Sequence, residues 1–131
     1  MTGLDTNVLA RYLIMDDPTQ GKKASRLIQD SAKRNEPVFV NNVVLCELVW
    51  VLDAAYSFSR KEIVDVLEKI MITELIVVQN QDEAWLALRD YREGEADFSD
   101  YFIGRINKSS ECDKTVTFDQ ALRSNELFTL L

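Results

Sequence analysis

Acids stand at Asp5, Glu47, Asp100 and Asp119 in apolar or turn-forming surroundings, and Asp97 lies three residues before Asp100. Carboxylates spread this widely along a chain act together only if the fold gathers them. Gathered, they suit the capture of a hard divalent cation and the activation of water upon it. The chain contains no histidine. That removes Ser-His and Cys-His nucleophilic pairs, His-ligated zinc and imidazole acid–base catalysis. Any enzymatic work therefore falls to carboxylates, whose matching cofactor is Mg²⁺ or Mn²⁺.

Glu47 is the only charge in Val-Val-Leu-Cys-Glu-Leu-Val-Trp-Val-Leu, residues 43–52. Its neighbours three and four residues away are Val43, Val44, Trp50 and Val51. This predicts a carboxylate on an apolar helix face, costly unless a cation compensates it. The bland alternative is an acid that reaches solvent at the helix edge or pairs with an arginine. Asp5, in Gly-Leu-Asp-Thr-Asn, follows an apolar start and could equally cap a helix; Thr6 and Asn7 would orient it in either role. The spacing of Asp97 and Asp100 suits the N-cap and third position of one helix. Capping accounts for Asp97 and leaves Asp100 less well explained, and two acids there can share a cation. Asp119 ends Thr-Val-Thr-Phe-Asp, where a turn or cap is the ordinary reading, with Thr117 as support. The basic pairs Lys22/Arg26, Arg89/Arg92 and Arg105/Lys108 read as solvated helix faces.

The elements that must position these acids alternate between short apolar runs and helical patterns. Thr2–Leu4 reads as a strand, followed by a helix over about 7–14. Asp17-Pro18 is a helix start, opening a helix with Ala24, Leu27, Ile28 and Ala32 on one face. Val38–Val40 reads as a strand, and Asn42 as the cap of an apolar helix running to about Ala55. Ser59 and Glu62 form a capping box, with Ile63, Val66, Leu67 and Ile70 facing inward. Leu75–Val78 is a continuous apolar run, which predicts a strand buried on both faces. Asn80 and Glu83 repeat the cap pattern, and Gly94 closes that helix. A helix over about 99–109 and strands at Thr115–Phe118 and Leu127–Leu130 complete the chain. The alternation predicts an α/β fold with a parallel sheet, whose sites lie at the carboxyl ends of strands. Asp5 and Asp119 both directly follow strands.

With 131 residues, 47% of them apolar, the chain is sized for a single domain spanning 1–131. Nothing resembles a signal peptide, and no apolar run approaches the roughly 18 to 20 residues of a membrane helix, so a soluble cytoplasmic protein is expected. Cys46 and Cys112 form no Cys-x-x-Cys motif and read as free thiols. The net charge of −7 speaks against a nucleic-acid partner bound through a basic surface. A cation held by the acids would soften that objection by offering phosphate a local positive charge.

Taken together, these segments resemble the PIN-domain family, specifically its VapC-type toxin ribonucleases. Gly-Leu-Asp-Thr-Asn-Val-Leu-Ala-Arg-Tyr-Leu followed by Asp-Asp-Pro resembles the N-terminus of that family. Val-Leu-Cys-Glu-Leu-Val-Trp-Val-Leu resembles the helix bearing its second acid. Ala-Asp-Phe-Ser-Asp-Tyr-Phe-Ile-Gly resembles its third-acid motif, with Asp100 as principal ligand and Asp97 as auxiliary. Thr-Val-Thr-Phe-Asp resembles the fourth-acid segment. Tyr101 and Gly104 depart from the pattern, which usually has small residues, often alanine, at these places.

The resemblance implies a three-layer α/β/α sandwich with a sheet of roughly five parallel strands. It also implies a Mg²⁺- or Mn²⁺-dependent endoribonuclease, a homodimer and a cognate antitoxin. In that scheme Asp5 and Asp100 hold the main ion at the mouth of the sheet, with Asp97 and Asp119 assisting. Glu47 positions or deprotonates the attacking water. The RNA would be single-stranded or a loop, where bases are exposed. Three rival readings stand beside it, one of them a receiver-type signalling domain, which would need a phosphorylatable Asp at a middle strand where Val38-Phe39-Val40 is followed by Asn41 and Asn42. A haloacid-dehalogenase-like phosphatase would want Asp-x-Asp after the first strand, where this chain has Asn7 at the third position. A degenerate PIN-like module would bind partners without catalysis, against which all the acids are present.

Overall fold

The computed structural model describes residues 1–131. The chain folds as two compact units, Met1–Gln79 and Asn80–Leu131. In the first unit the order is β1 (Thr2–Gly3), α1 (Thr6–Leu13), α2 (Pro18–Lys33), β2 (Val38–Val40), α3 (Asn42–Ala54), α4 (Arg60–Ile72) and β3 (Ile76–Val78). The three strands form one parallel sheet in the order β1-β2-β3. Gly3 is in register with Phe39, and Val38 with Ile76. The carboxyl ends of all three strands therefore lie on one edge. Leu4 N–H donates to Phe39 O, and Gln79 N–H to Val40 O, which carries the ladder one residue past the strands.

Local chemistry accounts for the helix boundaries. Asp5 has an extended backbone and its side chain accepts from Thr6 N–H, starting α1. Asp17 accepts from Gln20 N–H, with Pro18 at the first helical position. Ser59 and Glu62 form the expected reciprocal capping box of α4. The cap of α3 is Asn41, whose side chain accepts from Val44 N–H, and not Asn42. Two adjacent asparagines are both competent caps; the extended backbone at Asn41 decides between them.

Two burial expectations are corrected. In α2 the inward face is Gly21, Ala24, Ile28 and Ser31, while Leu27 and Ala32 are exposed. In β3, Ile76 and Val78 are buried but Val77 is outward and exposed. An apolar run does not prove burial on both faces, because valine suits an extended backbone and single exposed valines are common.

The second unit contains α5 (Gln81–Glu93), α6 (Phe98–Ser109), β4 (Thr115–Thr117), a short 3-10 turn (Gln120–Leu122) and β5 (Phe128–Leu130). Strands β4 and β5 pair in parallel, Thr115 with Phe128 and Thr117 with Leu130. All five expected strands thus form, all in parallel pairs, as sheets of three and two rather than one continuous sheet. Each strand is only two or three residues long, so each ladder is a handful of hydrogen bonds. Asn80, expected as a cap, adopts a left-handed backbone with no side-chain cap bond. The start of α5 instead carries Asp82 and Glu83, whose charges suit the helix dipole. Gly94 does end α5, its N–H donating to Asp90 O.

Helices α5 and α6 pack through an aromatic core. The Tyr91 and Phe98 rings meet edge-on at 6.0 Å, and Phe98 and Phe102 lie 5.4 Å apart. Arg105 is not on a solvated face as its spacing with Lys108 predicts. Its Nε and Nη2 donate to both Asp90 carboxylate oxygens at 2.7 and 2.8 Å, a nearly buried fork between the two helices. A four-residue spacing shows which residues share a face, and a partner on another helix decides whether that face is wet.

The two departures from the family pattern have structural reasons. The Tyr101 hydroxyl accepts from Ala96 N–H and sits where a Cβ on Gly94 would fall, so the ring holds the loop between α5 and α6. Gly104 faces Phe128, with a built Cβ 2.7 Å from two ring atoms. Gly104→Ala is expected to cost about 1–2 kcal/mol, since overpacking against a buried ring (roughly 1–3 kcal/mol) outweighs the gain of about 1 kcal/mol in helix propensity. Urea unfolding measures this; a more stable variant would mean that propensity wins and the Phe128 contact is slack.

Candidate functional site

The first unit presents a cleft of about 430 Å³ where β1 runs into α1. Asp5 and Glu47 both lie on its wall, with Thr6 and Asn7 between them. Asp5 arrives there because β1 ends at Gly3 and the acid caps the following helix. Glu47 arrives on α3, which starts at the carboxyl end of β2. Thr6 is buried and serves both acids: its N–H donates to Asp5 Oδ1 at 2.8 Å and its hydroxyl to Glu47 Oε1 at 2.9 Å. One residue thus fixes one oxygen of each carboxylate. Two acids from stretches about forty residues apart thus line one cleft, joined through Thr6.

The expected reason for Glu47 is corrected. Glu47 is exposed, and its apolar neighbours Val43 and Trp50 are 66% and 53% exposed. The buried stripe of α3 is Val44, Leu45, Leu48, Val49 and Leu52. Glu47 is therefore a solvent-facing acid in an apolar rim, and its partner in the structure is a hydroxyl. Beside it Cys46 is partly buried, and burial pushes its thiol up to about 11. That thiol is protonated and inert at neutral pH.

Arg11 and Tyr56 share the same cleft and were not singled out from sequence. Arg11 Nη1 donates to both Asp16 oxygens, at 3.0 and 3.1 Å, and to the Tyr56 hydroxyl at 3.1 Å. Tyr56 in turn donates to Asp16 Oδ2 at 2.9 Å. Tyr56 lies 45 residues from Arg11, so no local pattern could have linked them.

The second unit holds Asp97, Asp100 and Asp119. Asp97 occupies the N-cap of α6, yet its side chain makes no cap hydrogen bond. Asp97 thus keeps the expected N-cap position, and Asp100 lies in the first turn, where the Asp97 charge and backbone N–H both act on its carboxyl. The Asp100 carboxyl is held above the usual carboxylate range, chiefly by burial, then by the charge of Asp97 and more weakly by that of Asp119; the Asp97 N–H opposes this. Asp119 follows β4 and caps the short turn, accepting from Ala121 N–H, and Thr117 Oγ1 accepts from Asp119 N–H. The capping role therefore does belong to Asp119.

The donor chemistry in both units is oxygen alone, which suits Mg²⁺ or Mn²⁺ and excludes soft metals. Mutual repulsion of the kind felt at Asp100 is what a bound cation relieves. Within neither unit do three acids close around one point tightly enough to hold an ion as they stand.

Comparison with known proteins bears on the family of the chain. The family model described as PIN domain matches residues 4–126. The chain is also similar to a VapC ribonuclease of Aquifex aeolicus (strain VF5), at 28% identity over 120 residues, covering 92% of this chain and 88% of the relative. No helix is long and apolar enough to cross a membrane.

Proposed function

The chain belongs to the PIN-domain family, and from that premise we propose that it is a Mg²⁺- or Mn²⁺-dependent endoribonuclease, the toxin of a pair with a cognate antitoxin. The observation that carries the proposal is the cleft at the end of β1, where Thr6 ties Asp5 and Glu47 together. The similarity to a VapC ribonuclease over most of both chains supports it.

On the family resemblance, Asp5 in the first unit and Asp97, Asp100 and Asp119 in the second are proposed as acids that supply cation ligands. A divalent cation, when bound, acidifies water and offsets the charge of the phosphate. Glu47, oriented by the Thr6 hydroxyl, accepts the proton of the attacking water. The water oxygen bonds to phosphorus as the ester P–O bond breaks, and the departing ribose oxygen takes a proton from solvent. Asn7, beside Asp5 on the cleft wall, and Thr117, bonded to the Asp119 backbone, hold the acids in place. The substrate is proposed to be single-stranded or looped RNA. A homodimer is proposed on family grounds, and the exposed Val43 and Trp50 on α3 offer apolar surface for such an interface.

The test is cleavage of a panel of structured and unstructured RNAs by the purified chain. Cleavage is expected with Mg²⁺ or Mn²⁺, with loss in excess EDTA and recovery when the cation is restored. Undiminished cleavage in EDTA overturns the metal mechanism, and no cleavage of any RNA with either cation overturns the nuclease assignment.

A further inference from the structure

Arg11 is the one basic residue on the wall of the cleft that holds Asp5 and Glu47. It is anchored on several sides. Nη1 meets Asp16 and the Tyr56 hydroxyl, and Nε donates to Gln20 Oε1 at 2.9 Å. Tyr56 spends its own proton on Asp16, so its oxygen is free to accept from Arg11. These bonds fix the guanidinium plane from opposite ends of the unit's sequence. Nη2 takes part in none of them, which leaves two N–H donors uncommitted.

A cleft lined by two carboxylates in a chain of net charge −7 repels a phosphodiester. A substrate phosphate there requires a donor held at a set place. Asp16 neutralises much of the arginine's long-range field, so what Arg11 offers is a directed hydrogen bond rather than general attraction.

We propose that Arg11 is a phosphate-binding residue for the RNA in this cleft, donating from Nη2 to a non-bridging phosphate oxygen, with Asp16 and Tyr56 as its positioning residues. The inference rests on the ribonuclease reading above. Lysine cannot replace arginine here: one ammonium cannot serve Asp16, Tyr56 and a phosphate in the same fixed geometry. The contact binds ground and transition states alike, so its loss falls on KM more than on kcat.

The experiment is steady-state cleavage of a fluorogenic single-stranded RNA oligonucleotide in Mg²⁺ by the full chain and its Arg11→Ala, Arg11→Lys and Tyr56→Phe variants, with melting temperatures in parallel. Arg11→Ala is expected to raise KM by about 10- to 100-fold, the loss of one hydrogen bond to a charged group, with kcat within about threefold. Arg11→Lys should remain closer to alanine than to the parent. Tyr56→Phe, which keeps the ring and removes one anchor, should raise KM severalfold without lowering the melting temperature by more than a few degrees. If Arg11→Ala fails to fold, Tyr56→Phe decides alone, and an unchanged KM in it overturns the proposal. A parent that cleaves RNA while Arg11→Ala keeps its KM, or loses only kcat, overturns this inference and spares the nuclease assignment. A parent that cleaves no RNA overturns both.

Discussion

Replacing Asp100 by asparagine is expected to lower Mg²⁺-dependent RNA cleavage by roughly 10²- to 10³-fold or more, the usual cost of losing one preorganised electrostatic group, while raising the melting temperature of the metal-free protein. The two effects share one cause. Burial, and then the charges of Asp97 and Asp119, hold the Asp100 carboxyl above the usual range. A raised folded-state value means that the folded chain binds the proton more tightly than the unfolded chain does. The resulting penalty is absent below the ordinary aspartate range. It grows as pH rises through the window up to the raised value, and stays in full above it. Asparagine removes the charge, and with it that slope of stability against pH. Added Mg²⁺ should stabilise the parent and leave Asp100→Asn unmoved. Thermal melts from pH 3 to pH 7 in EDTA, repeated at pH 7 with Mg²⁺, check both halves. A variant that melts lower than the parent at pH 7 in EDTA would contradict the repulsion, and one that still cleaves RNA at the parental rate would remove Asp100 from the site.

The largest expected effect on stability lies away from the acids. Asp90 and Arg105 form a two-bond fork with side chains only 10% and 12% exposed. Truncating either partner to alanine leaves the other charge poorly solvated and unpaired, at a cost of about 3–5 kcal/mol. The Asp90 hydrogen bond, ahead of its charge, also holds the guanidinium even more firmly in its protonated form. The guanidinium half of the pair therefore keeps its charge at every pH where the protein folds. Replacing both residues with apolar side chains of similar volume should recover much of the loss, because no buried charge then remains. Urea unfolding of the two single variants and the double variant gives the coupling. The fork is sheltered, so the loss should persist at 1 M salt, where exposed pairs vanish. Single-variant losses below about 1 kcal/mol would place the pair in effectively wet surroundings.

Much was legible in the sequence because it depends on residues close together along the chain. The capping box at Ser59 and Glu62, the Asp17-Pro18 start and the strand at Val38–Val40 form where their spacing predicts, and the strand expected at Thr115–Phe118 forms over Thr115–Thr117. Asp5 and Asp119 also come just beyond strands, each two residues past the strand end rather than directly after it. Helical hydrogen bonding, capping and side-chain periodicity act over four residues or fewer, and a single chain displays them in full.

Tertiary structure alone decided what each side chain faces. Glu47 looked buried because its helical neighbours are apolar, yet Val43 and Trp50 are themselves exposed. Arg105 looked solvated because Lys108 is, yet Asp90 on the preceding helix claims it. The convergence of Arg11, Asp16 and Tyr56 was likewise invisible. Burial and pairing are set by whichever element packs opposite, and that partner is chosen by the whole chain's free energy rather than by local spacing. The amino-acid order by itself determined which chemistry is available here, acids and no imidazole. The packing determined which of those acids share a hydroxyl, which crowd one another, and which arginine stands beside them.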